Sequence, residues 1–294
     1  MKHPIVAGTD LTEASDDTLI QAERRATRDA VPLTVVHAVP PRLWAATQAS
    51  EDLEQIACAI RERVSALTGR EGSEFEVLVE RGAAHIILPR VASARNALLV
   101  VGSHLERGIG HALLRDVTER VVSRFAGPVL ATRAGCESGR ILVAVDNSFR
   151  DAATLDAAIE EASGSGAQLM VIHCVYMGFL QTLTVDLMKG GAYGEDPLWQ
   201  RSVAVDARRG LAVELKRRNV NAELHVVDGP PDVLIPDFAA QLSAELVIVG
   251  SPHYPAAPSH VATAVLRRAR CSVLVVDTGR APVESLVAQH AAAN

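Results

Sequence analysis

Aromatic residues make up only 3% of this 294-residue chain, so its core has to be assembled from Val, Leu, Ile and Ala rather than from rings. Cysteine is almost as scarce. Cys58, Cys136, Cys174 and Cys271 are widely scattered and form no C-x-x-C pair, which argues against a zinc site or a disulfide framework and leaves four free thiols expected. No apolar run approaches the roughly 18 residues of a spanning helix, so no membrane segment is expected. Positive charge is not in excess either: the net charge is -6 and the isoelectric point is near 5.9. Coating nucleic acid requires clustered Lys and Arg to neutralise phosphates, so that class of partner is excluded. The cluster Arg267, Arg268 and Arg270 then reads as a solvated helix face. The chain runs from Met1-Lys2-His3-Pro4 straight into an apolar strand pattern, with no h-region or cleavage site. A cytoplasmic protein is the expectation.

What is present is ordinary globular material, 48% hydrophobic and 22% charged, at a length that favours two domains. The two halves answer each other. Residues 5–12 (IVAGTDLT) and 141–148 (ILVAVDNS) are apolar runs ending in Asp10 and Asp146, each followed two places later by a hydroxyl residue. Asp10 to His37 and Asp146 to His173 are both 27 residues, with each histidine inside an apolar run. The match continues through Gly82 and Gly229, each followed seven residues later by a proline, Pro89 and Pro236. Proline is costly inside a helix, so a shared one speaks for duplication more strongly than shared apolar residues do. ALLVVGS at 97–103 then matches ELVIVGS at 245–251, and PVLA from 128 matches SVLV from 272.

Within each half, short Val/Ile/Leu runs suit strands of a parallel sheet buried on both faces. Leu53, Ile56, Ala57, Ile60, Val64 and Leu67 recur at threes and fours behind Ser50, as an amphipathic helix requires. Phe75, Val77 and Val79 alternate as in a less buried strand. The order β-α-β-α-β-α-β-α-β predicts a doubly wound α/β domain, made twice. The expected domains are 1–135 and 136–280, joined near 133–140, with a tail at 281–294 whose Val283, Leu286 and Val287 fall at helical spacing. Residues 176–201 exceed their first-half counterpart by about a dozen. They contain Lys189-Gly190-Gly191-Ala192-Tyr193-Gly194, which reads either as a lid over a ligand crevice or as a surface loop.

The strand-ending Asp, the His-bearing second strand and the VVGS strand leading through a loop and helix to a final apolar strand resemble the universal stress protein family, twice and over nearly the whole chain. The resemblance implies a Rossmann-like, adenine nucleotide alpha hydrolase-like fold, and pairing of the last strands, 128–132 with 272–276, into an intramolecular pseudo-dimer. It also implies a site for ATP or another adenine nucleotide. In the first half that site would use Gly8, Thr9, Asp10 and Ala38 at the adenine end, and Gly102, Ser103, Arg115 and Asp116 at the phosphate end. The weaker second-half equivalents are Val145, Asp146, Cys174, Gly250 and Ser251.

Both phosphate ends depart from the family pattern of G-x-x-G, nine residues, then G-[ST]. Leu105 stands where the second glycine belongs, and Arg115-Asp116 where Gly-Ser or Gly-Thr belongs. A side chain at Leu105 obstructs close backbone approach, and Asp116 repels a triphosphate, although Arg115 offers a compensating phosphate contact. The second half is four residues shorter between Gly250 and Val273 than the first is between Gly102 and Val129, and its Ser251-Pro252-His253-Tyr254-Pro255 holds no glycine. ATP binding is therefore expected to be weak or absent, and a smaller or less charged ligand remains admissible. The bland alternative for Asp10 and Asp146 is that each caps the helix after its strand.

His37 and His173 read as hydrogen-bonded core histidines. His104 and His111, like His253 and His260, stand seven apart, too far along a helix to share one metal ion. No G-x-S-x-G and no Walker loop occurs. The expected function is a stress-response binding protein rather than an enzyme. The alternative carried beside it is an adenine-nucleotide-binding or slow ATP-hydrolysing first domain. A further association into a homodimer is compatible with the sequence.

Overall fold

The computed structural model describes residues 2–40, 50–72, 74–103, 112–134, 137–146, 151–176, 197–251 and 260–279. The first half runs β1 (Ile5–Thr9), α1 (Asp16–Asp29), β2 (Leu33–Val39), α2 (Ser50–Thr68), β3 (Glu76–Arg81), α3 (Ala84–Arg95), β4 (Leu98–Gly102), α4 (Ala112–Arg124) and β5 (Val129–Thr132). The second repeats it as β6 (Arg140–Ala144), α5 (Asp151–Ser165), β7 (Gln168–Val175), α6 (Pro197–Arg217), β8 (Glu223–Asp228), α7 (Pro231–Gln241), β9 (Leu246–Ser251), α8 (His260–Arg268) and β10 (Ser272–Asp277). Every apolar run named from the sequence is a strand. β3 is the less buried one expected, intermediate at its four central residues.

Helix ends follow local chemistry. Asp16 and Asp17 open α1 and Arg28 closes it, each charge opposing the nearer end of the helix dipole. Pro89 and Pro236 both lie inside helices, α3 and α7, and both are buried. A proline at 236 frees the carbonyl of Asp232 from its intrahelical bond, and Arg268 Nη1 donates to that oxygen at 3.5 Å.

The strands form one ten-stranded sheet in the order β3-β2-β1-β4-β5-β10-β9-β6-β7-β8. Within each half all neighbours are parallel, and the halves meet through β5 and β10, which are antiparallel. The chain is thus an α/β intramolecular pseudo-dimer. The seam register is Val129 opposite Val275, Leu130 opposite Leu274 and Ala131 opposite Val273. Leu130 and Leu274 are counterparts in the repeat, so the pseudo-two-fold passes between them.

Side-chain alternation sorts the strands onto two cores. Val6, Leu99, Val129, Leu142, Val247 and Val273 pack with α3, α4, α7 and α8 on one face. Ile5, Val100, Leu130, Ile141, Ile248 and Leu274 pack with α1, α2, α5 and α6 on the other. Both cores run through the seam, and both are almost wholly aliphatic, as the shortage of aromatics requires. Among the described residues no helix is long and apolar enough to cross a membrane.

Candidate functional site

In a doubly wound sheet a ligand crevice opens at the carboxyl ends of the strands where the strand order reverses. In the first half that point lies between β1 and β4. A cavity of about 100 Å³ sits there, lined by Gly8, Thr9, Asp10, Ala38 and Gly102. The structure therefore brings five of the eight first-half candidates to one place. It adds residues that sequence reasoning did not single out: Ala84 and Leu88 of α3, Val117 of α4, Val36, Val101 and Ser15. A β-carbon placed on Gly8 would meet Leu88 Cδ1 at 3.0 Å. The glycine ending β1 is what lets α3 approach. The walls are mainly apolar, and the space is smaller than the roughly 300–1,000 Å³ usual for small-molecule sites.

Five hydrogen bonds set the β1 end. His37 Nδ1 lies 2.8 Å from the carbonyl oxygen of Thr9. A carbonyl only accepts, so this nitrogen carries the proton. Thr9 Oγ1 accepts from the Leu11 amide at 3.1 Å and bonds Ser15 Oγ at 2.9 Å. Asp10 Oδ1 accepts from the amide of Thr12 at 3.0 Å and from its hydroxyl at 2.7 Å. This corrects the bland expectation for Asp10: its carboxylate closes a tight local turn two residues long and does not cap α1, which starts six residues later. Leu11, the residue inside that turn, is driven to a φ of 65°.

The β4 end is tied down differently. Thr118 of α4 donates to the Gly102 carbonyl at 3.0 Å, while Ser103 Oγ accepts from Arg133 Nη2 at 3.0 Å. Arg133, only 6% exposed, was read from the sequence as the start of the linker. Its guanidinium crosses the seam instead, donating to the Cys271 carbonyl at 3.0 Å and to the Leu266 carbonyl. The candidate Ser103 hydroxyl is thus already engaged, by a residue that also anchors the end of α8.

Arg115 and Asp116 are placed within α4, which begins at Ala112, so neither stands at a helix start as their alignment with the family's final pair had suggested. Ala112-Leu113-Leu114-Arg115 is a run of strong helix formers with no glycine to stop it. Only the first four amides of a helix lack an intrahelical acceptor. With Ala112 as the first helical residue that set ends at Leu114, so the Arg115 and Asp116 amides are both spent on the helix itself. Leu105, His104, His111 and His253 lie outside the described residues, as do 177–196 of the expected lid; 197–201 of that segment open α6.

In the second half the same positions carry more bulk. Ala144 replaces Gly8, and Cys174 replaces Ala38. Burial pushes the Cys174 thiol up to about 11, so it stays protonated and unreactive at neutral pH. Val145 is buried, with its carbonyl 2.9 Å from His173 Nδ1, which repeats the His37 arrangement. Asp146 is exposed. Gly250 is pressed against α5, a β-carbon there falling 2.6 Å from Thr154 Oγ1. Ser251 is buried, and its carbonyl accepts from the Thr278 amide at 3.2 Å. Cys58, Cys174 and Cys271 are free thiols, as expected.

Two five-stranded parallel halves of one sheet, joined antiparallel at β5 and β10, define a duplicated Rossmann-like fold. The universal stress protein family model matches the chain twice, at residues 1–133 and 137–277, and the chain belongs to that family. No curated protein matches it. Among solved structures, a functionally unknown protein from Pseudomonas aeruginosa is 19% identical with a TM-score of 0.65, over 94% of this chain and 92% of that one. A universal stress protein from Archaeoglobus fulgidus is 17% identical at a TM-score of 0.65, over 95% and 97%. A second Pseudomonas aeruginosa protein, described as a putative universal stress protein, is 19% identical at 0.64, over 94% and 93%. These likenesses concern the fold.

Proposed function

We propose that the protein is a cytoplasmic, stress-response regulatory binding protein, with domains at 1–135 and 136–280, whose ligand site is the first-half crevice and which binds ATP weakly or not at all. The start of α4 at Ala112 carries this reading. An uninterrupted helix there consumes the backbone donors that a glycine-containing turn would leave free for phosphate. The small, largely apolar cavity favours a ligand with less charge than a triphosphate. Calorimetry tests it: the parent should show little ATP binding, and the variant Leu105→Gly, Arg115→Gly, Asp116→Ser should bind. Tight ATP binding by the parent would overturn the reading.

A second reading, an adenine-nucleotide-binding or slowly ATP-hydrolysing first domain, is favoured by the convergence of Gly8, Thr9, Asp10, Ala38 and Gly102 on one cavity. Turnover by the parent that disappears in Asp10→Ala would establish it. Nucleotide retained without turnover would leave a binding module.

A further inference from the structure

The seam between the halves is chemically lopsided although its geometry is symmetric. On the face opposite α4 and α8, α1 of the first half meets α5 of the second across the pseudo-two-fold. The repeat equates Arg25 with Glu161 and Arg28 with Gly164, each at a constant offset from the Asp10–Asp146 match. These counterparts are also the residues that touch. Arg25 Nη1 pairs with Glu161 Oε1, both side chains being little exposed at 11% and 13%. Arg28 Nη1 donates to Glu161 Oε2 at 3.2 Å. The Arg28 side chain lies over Gly164, where an added β-carbon would come within 3.3 Å of its Nε. Near a two-fold axis a residue faces its own counterpart, so each contact displays what would happen if a half paired with a copy of itself.

Pairing two first halves would set Arg25 against Arg25 and Arg28 against Arg28, in a space with 11–26% side-chain exposure. Pairing two second halves would set Glu161 against Glu161 and leave Gly164 opposite Gly164 with nothing between. Like charges partly shielded from water repel, and a missing side chain forfeits its contacts. The strand seam itself does not discriminate, since Leu130 and Leu274 are the same residue. A third asymmetry agrees with the helices: Arg133 crosses into the other half, whereas its counterpart Asp277 turns back to accept from its own Gly279 amide at 2.9 Å.

We infer that the two halves have become mutually exclusive partners: the α1 face accepts only an acidic, glycine-bearing α5-type face and rejects a second copy of itself, and the α5 face does the converse. Specificity of this kind rests on repulsion in the wrong pair as much as on attraction in the right one. Its consequence is that two first halves, or two second halves, do not pair with each other.

The full-length chain can be made to present either forbidden pairing. Arg25→Glu recreates the acidic self-pairing, and Glu161→Arg the basic one, the latter against both Arg25 and Arg28. Amide exchange of the β5–β10 ladder is the readout, with the β1–β2 amides, remote from the seam, as internal reference. Seam exchange should accelerate about tenfold in Arg25→Glu and more in Glu161→Arg, because removing one partner of a shielded pair leaves an uncompensated charge. The exchanged pair Arg25→Glu with Glu161→Arg should restore most of the protection. Gly164→Arg should accelerate the seam likewise, and Arg28→Gly with Gly164→Arg should slow it again. Unchanged seam exchange in the single variants overturns the inference. So does equal acceleration at the reference amides, or a double variant no better than the two singles combined.

Discussion

The proton on His37 Nδ1 points at the carbonyl oxygen of Thr9, 2.8 Å away, so a side chain from the second strand fixes the last peptide of the first. Replacing it with Leu removes a second donor from a carbonyl at the end of the β1–β2 ladder. His37→Leu should lose about 1 kcal/mol in denaturant unfolding. It should also loosen the Asp10–Thr12 turn, visible as faster exchange of the Thr12 amide. His173→Leu should behave alike at Val145, since its geometry is the same.

Gly250 is sterically committed, with Thr154 Oγ1 at 2.6 Å and Thr278 Cγ2 at 2.8 Å from where its β-carbon would stand. Gly250→Ala should cost about 1–3 kcal/mol through overpacking. The double variant with Thr154→Ala should recover a good part of it. Thr154 Oγ1 is buried without a hydrogen-bond partner, because its first-half counterpart Thr18 bonds Thr132 Oγ1 at 2.7 Å and Val276 stands where Thr132 would be. Thr154→Ala alone should therefore be close to neutral. Thermal unfolding of the three variants decides it.

Arg133 holds Ser103 of one half and the carbonyls of Leu266 and Cys271 of the other. Arg133→Ala strands those acceptors, and a loss on the order of 2–4 kcal/mol is expected. Arg133→Lys should rescue little, because one ammonium cannot reproduce the planar fork. The last turn of α8 should show the earliest increase in amide exchange; an increase confined to β4 would contradict the assignment.

The Asp29 carboxyl is held below its ordinary range by the hydrogen bond from Arg28, with the charges of Arg28, Arg25 and Lys2 adding to it. A carboxyl depressed in the folded state stabilises it fully above the unfolded pKa and loses that contribution as pH falls through the folded one. Stability should thus drop as the pH is lowered below about 4. Asp29→Asn should flatten that part of the curve while leaving the alkaline side unchanged, as pH-dependent unfolding would show.

The repeat and the succession of strands and helices were legible because buried parallel strands read as apolar runs, and the duplication supplied its own alignment; the last-strand pairing was implied by the family resemblance alone. His37 and His173 were legible as core histidines for the same reason. Arg133 was not: a lone arginine after a strand, in a Gly- and Ser-containing stretch, carries no periodicity to mark it as buried, and its acceptors lie in the other half. Leu88 and Val117 were hidden because apolar helix positions look alike whether they line a cavity or fill a core. The start of α4 was misplaced because the family pattern put a glycine boundary where this chain has only helix formers. Asp10 shows the remaining difficulty, since a strand-ending Asp has several local uses and spacing does not distinguish them.

Pairing β5 with β10 also sets an order of events on the ribosome. The first half contains all five of its parallel strands once residue 132 is made, yet the open side of β5 has no neighbour until β10, the last strand described, has been synthesised. Throughout the making of the second half, the nascent chain carries an unpaired central strand of Val129, Leu130, Ala131 and Thr132, the kind of edge on which neighbouring nascent chains recruit one another. Arg133, carried at the end of that strand, remains in water until Cys271 and Leu266 arrive to receive it. The arrival of β10 therefore removes the hazard and buries the charge together.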